Sequence, residues 1–60
     1  MAITEKQKKF VEEYLIDLNA TQAAIRAGYS VKNAGKIGHE LLEKTRISNE
    51  ITKKIAERSR

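Results

Sequence analysis

Phe10, Val11, Tyr14, Leu15 and Leu18 recur at spacings of one, three and four, which places them on one stripe of a helix and leaves Lys8, Lys9, Glu12 and Glu13 outside. This is the largest apolar face in the chain, so it predicts the platform on which the other elements pack. Thr4, Glu5, Lys6 and Gln7 form a capping box at its start: the Thr4 hydroxyl can accept from the Gln7 N–H while the Gln7 side chain reaches back to the N–H of Thr4. Three further patterns follow. Ala20, Ala23, Ala24 and Ala27 give a short helix a narrow face of methyl groups with Ile25 on its flank. Ala34, Ile37, Gly38 and Leu41, with Leu42 beside them, form an inward stripe. Ile47, Ile51 and Ile55 are spaced by four, with Ala56 alongside. The boundaries carry their own signals: Asn19 as an N-cap before Ala20, Gly28 after Ala27, Ser30 as the cap of the third helix, and Thr45 or Ser48 opening the fourth.

The stretch from Ala20 to Ile37 organises the rest. Taking Gly28 as the turn glycine of a helix-turn-helix puts Ala24 four residues earlier, where the two helices cross too closely for a larger side chain. Tyr29, Ala34 and Ile37 then fall where buried apolar residues are needed, and Lys32, Lys36 and His39 where such a unit points at DNA. Gly35 and Gly38 are poor helix residues and need a reason. For Gly38, inside the stripe, that reason is close packing against another helix; for Gly35, on the flank, it is close approach of the backbone to DNA.

Composition agrees with an all-α, compact four-helix domain containing a helix-turn-helix, one domain over residues 1–60. Proline and cysteine are absent and 33% of residues are charged. No disulfide or cysteine zinc site can staple the fold, and His39 alone cannot build a metal site. Chains of this length often bury only about 60% of the surface they expose when unfolded, so helix packing must supply a marginal stability. No apolar run is long enough for a membrane span, and no secretion signal opens the chain. The net charge of +4 is unevenly placed. Residues 1–18 carry an excess of one acid (Lys6, Lys8 and Lys9 against Glu5, Glu12, Glu13 and Asp17), whereas the basic excess sits on and after the helix-turn-helix. The chain ends in a charged helix without a capping glycine, as expected of one domain of a longer protein.

The chemistry available is that of binding. There is no phosphate-cradling glycine loop, nothing to activate Ser30 or Ser48 as a nucleophile, and Glu12 and Glu13 diverge on their helix by about 100°. No catalytic residue, metal or cofactor is expected. As a DNA reader, the chain would use the start of helix 3. Lys32 and Lys36 can bond guanine O6/N7 or a phosphate, Asn33 can pair with an adenine edge, Ser30 can hold phosphate, and His39 sits a turn further along. Arg26 and the basic outer face of the last helix (Arg46, Lys53, Lys54, Arg58, Arg60) would add backbone contacts. A helix-turn-helix transcription regulator would share this geometry, and a protein-interaction module using the alanine-rich or isoleucine-rich surface would need no DNA.

The run Asn19, Ala20, Thr21, Gln22, Ala23, Ala24, Ile25, Arg26, Ala27, Gly28, Tyr29, Ser30 is far more specific than a generic helix-turn-helix. Together with Thr4 to Tyr14 before it and Ile37, Gly38, Leu41 and Leu42 after it, this run closely resembles the N-terminal domain of the small terminase subunit of tailed bacteriophages and prophages. The resemblance implies recognition of the packaging site on double-stranded viral DNA in the host bacterial cytoplasm. It also implies a homo-oligomeric ring for the full-length subunit, this domain alone being monomeric. Delivery of DNA to the large terminase subunit would use regions beyond this chain. Gly35 departs from the longer side chain the resemblance implies at that flank.

Overall fold

The computed structural model describes residues 3–58. Four α-helices follow one another: α1 (Glu5–Asp17), α2 (Ala20–Ala27), α3 (Ala34–Glu43) and α4 (Thr45–Arg58), with a 3-10 turn at Val31–Asn33 leading into α3. Among the described residues there is no strand. The capping box closes α1 as the sequence predicts, with Gln7 N–H donating to Thr4 Oγ1 at 3.1 Å and Thr4 N–H donating to Gln7 Oε1 at 3.0 Å. Asn19 caps α2, its Oδ1 accepting from the Gln22 N–H at 3.1 Å.

Every helix contributes two residues to the buried apolar core: Phe10 and Val11, Ala23 and Ala24, Ala34 and Leu41, Ile47 and Ile51. Tyr14, Leu15, Tyr29, Ile37 and Leu42 are half-buried against it. Three of the core residues are alanines without exposed surface, all on α2 and α3, while Phe10, Val11, Leu41, Ile47 and Ile51 supply the bulk. Gly38 marks the tightest crossing. A Cβ on Gly38 would lie 2.6 Å from the Ala20 carbonyl oxygen, so α3 meets the first turn of α2 at a distance only glycine permits.

Three expectations are corrected. Leu18 does not continue the α1 stripe: it adopts a left-handed conformation (φ 56°, ψ 31°) one residue past the helix, its N–H donates to the Tyr14 carbonyl at 2.6 Å, and the turn rotates its side chain out to 64% exposure. Ile55 does not close the core. With Arg58 it lines an open groove against Leu15, Ile16 and Leu18 at the end of α1, where it is 47% exposed. Ser30 does not cap helix 3 with its hydroxyl. It precedes the 3-10 turn without a side-chain cap bond, and the regular α-helix begins only at Ala34. Arg60 lies outside the described residues.

Candidate nucleic-acid interface

The turn between α2 and α3 is set by Gly28 (φ 103°, ψ 11°), a conformation that costs an L-residue about 1 to 2 kcal/mol and glycine little. Two hydrogen bonds close the helix end around it: Gly28 N–H donates to the Ile25 carbonyl at 3.1 Å and Tyr29 N–H to the Ala24 carbonyl at 3.0 Å. This reciprocal pair is the Schellman arrangement, which satisfies two carbonyls that α2 would otherwise leave open. Tyr29 then anchors the turn. Its half-buried ring lies 5.1 Å below Lys6 Nζ, a cation–π contact that ties the start of α1 to the turn, and burial pushes its hydroxyl pKa up.

Past this anchor the chain presents its candidate site. Ser30, Lys32, Asn33, Lys36 and His39 are all exposed. Lys36 and His39 lie opposite the buried Ala34, Gly38 and Leu41, so one side of α3 is fixed into the core while the other faces outward, with Lys32 in the turn just before it. Among the described residues neither Lys32 nor Lys36 has an ion-pair partner. His39 differs: its Nε2 stands 3.3 Å from Glu43 Oε2, one turn on, with both side chains exposed. Any phosphate contact by His39 therefore competes with a neighbouring carboxylate.

Arg26 is held elsewhere. Its guanidinium lies 3.1 Å from Asp17 Oδ2 and 3.8 Å from Glu13 Oε1, so it bridges α2 to the end of α1. Partial desolvation pushes the Asp17 carboxyl pKa up, but the Arg26 guanidinium and the Asn19 N–H, which donates to it at 3.2 Å, together hold it below its ordinary value. The sequence signal for this bridge exists, because Glu13 and Asp17 are four residues apart on α1. That their cation comes from another helix is not readable from spacing. On α4, Lys54 pairs with Glu50 at 4.0 Å, while Lys53 and Arg58 are exposed.

Two further exposed residues lie beside these in the chain: Gly35, already noted in the sequence, and Val31, which was not among the candidate side chains. An apolar residue at a helix start carries no binding signal in sequence, since it reads as core until the packing shows that nothing covers it.

Known proteins with related sequences fix the family. The family model described as terminase small subunit matches residues 3–60. The terminase small subunit of Bacillus phage SF6 is 48% identical over 56 residues, covering 92% of this chain and 39% of that protein. The terminase small subunit of Bacillus phage SPP1 is 44% identical over 55 residues, covering 90% of this chain and 37% of its own length. The PBSX phage terminase small subunit of Bacillus subtilis (strain 168) is 41% identical over 49 residues, 82% of this chain and 18% of that protein. The chain thus spans about two-fifths or less of the length of these curated relatives. The chain belongs to the terminase small subunit family.

Proposed function

We propose that this domain binds double-stranded DNA through the exposed side of α3, and that in the whole subunit it recognises the packaging site on viral DNA. The observation that carries this reading is the pair Lys32 and Lys36. Both are exposed and both lack an ion-pair partner among the described residues; Lys36 stands on α3, whose opposite side is locked by Ala34, Gly38 and Leu41, and Lys32 stands in the 3-10 turn that leads into it. Unpaired cations on a rigid helix after a left-handed glycine turn suit entry into a major groove, with the N-terminal residues of that helix nearest the base edges. Lys32 and Lys36 supply guanine or phosphate contacts, Asn33 an adenine contact, and Ser30 and His39 phosphate contacts. Arg26 acts in this scheme as a strut between α1 and α2 that can give only its outer edge to a phosphate. Membership of a terminase small subunit family supports the packaging role.

The domain contributes recognition and no catalytic step. In the whole subunit, handing DNA to the large terminase subunit and assembly into a ring would use regions beyond this chain. The site of action is the host bacterial cytoplasm. Among the described residues no helix is long and apolar enough to cross a membrane.

The test is a fluorescence-anisotropy titration of the chain against short duplexes across a salt series. Each phosphate neutralised contributes about −0.9 to the slope of log K against log salt, so a domain of this kind should bind with a slope of about −2 to −4. Binding with no salt dependence, or none on any duplex, would instead support an interaction module for proteins.

A further inference from the structure

Val31 is the first residue of the 3-10 turn that leads into α3 and is 70% exposed, beside Lys32 and Asn33. Among the described residues it belongs neither to the buried core nor to the apolar side chains packed against it. Gly35 follows about one turn later and is exposed as well. A Cβ on Gly35 would meet Thr21 Oγ1 at 3.6 Å, which is ordinary contact, so no neighbour requires a glycine there. Gly38 is the contrast, because the Ala20 backbone excludes a Cβ at that position. Glycine weakens a helix relative to alanine, and an exposed valine gains nothing by its exposure. Val31 and Gly35, four residues apart, flank Lys32 and Asn33 and precede Lys36, in the segment proposed to meet DNA.

We propose that Val31 and Gly35 form a thymine-reading edge: the bare Cα of Gly35 lets the helix backbone approach the major-groove floor, and the Val31 side chain packs on the C5-methyl of a thymine. A branched hydrocarbon offers no hydrogen bond to a base, so the one major-groove feature it can select is that methyl group. Lys32 and Asn33 beside it supply the polar contacts that hold register. This inference rests on the DNA-binding reading above and adds to it the base that is recognised.

The experiment selects binders from two random duplex libraries, one synthesised with thymine and one with uracil, which pairs identically but lacks the methyl. The wild-type chain should enrich an A·T pair at one fixed position from the thymine library alone. Replacing that single thymine by uracil should weaken binding about fourfold, the change expected for one buried methyl-sized group. Val31→Ala should bind the thymine and uracil duplexes alike. Gly35→Ala should melt at a higher temperature than wild type and still bind more weakly, which separates loss of approach from loss of fold. Equal wild-type affinity for the two duplexes, or unchanged binding by Gly35→Ala, overturns the thymine edge while leaving salt-dependent DNA binding intact. Absence of salt-dependent binding to either library overturns the DNA-binding reading itself.

Discussion

The three glycines answer to three different demands, and substitutions separate them. Gly28 is needed for its backbone: at φ 103°, Gly28→Val should destabilise the domain by about 1 to 2 kcal/mol or more, because a β-branched residue is least tolerated in the left-handed region. An unchanged thermal midpoint would remove the turn from the account. Gly38 is needed for its missing side chain. Gly38→Ala places a methyl group 2.6 Å from the Ala20 carbonyl oxygen, so overpacking of about 1 to 3 kcal/mol should outweigh the gain in helix propensity. Gly35→Ala has room and should raise stability by up to about 1 kcal/mol, and paired chemical denaturations should show the two changes with opposite sign. Gly28 and Gly38 are legible in the sequence because one follows an alanine-rich helix and the other interrupts an apolar stripe. Leu18 is not. An apolar residue in register at a helix end looks like core, and only the left-handed turn at φ 56° carries it outside.

The helices are legible where local chemistry fixes them, as with the capping box of α1 and the Asn19 cap and Gly28 stop of α2. The start of α3 is not, because Ser30 offers the same hydroxyl signal whether the first turn winds as α or as 3-10. The segment Val31–Asn33 winds as 3-10, and Val31 at its start is 70% exposed. Ile55 fails for a different reason: its spacing from Ile51 is helical, but it faces an open groove at the end of α1 and is 47% exposed there. What ties α1 to α2 beyond the core is the Arg26 bridge to Asp17 and Glu13. Because the Asp17 pKa is lowered in the folded chain, its contribution is present above the unfolded carboxylate pKa and is lost as pH falls through the folded value. Thermal melts on either side of that acid range should therefore show wild type losing more stability than Asp17→Asn, whose amide does not titrate there. Parallel losses would mean the bridge contributes nothing to folding.

One small domain with a few groove-facing side chains should bind DNA weakly, in the nonspecific range of roughly 10⁻⁴ to 10⁻⁶ M at physiological salt. The relatives matched are more than twice as long as this chain, and linking several copies through such additional sequence can add about 10² to 10⁴ in avidity without any new contact. A full-length subunit compared with this chain on one duplex at fixed salt should show that gap; nanomolar binding by the chain as a monomer would contradict it. The uneven charge of the chain points the same way, since the acidic excess of residues 1–18 lies on the platform helix and the basic excess on the elements that follow. Legible from the sequence is the exposure of Lys36 on the outer side of α3 and of Lys32 in the turn before it. The capture of Arg26 is not, because it depends on where α1 ends relative to α2. The most direct measurement is the salt dependence of DNA binding by the chain and by Lys32→Ala/Lys36→Ala, with helical circular dichroism recorded on both. If α3 meets the phosphates, the double variant should keep its helical signal, bind more weakly, and lose about 2 from the magnitude of the salt slope. An unchanged slope on a folded double variant would move the DNA to another face of the molecule.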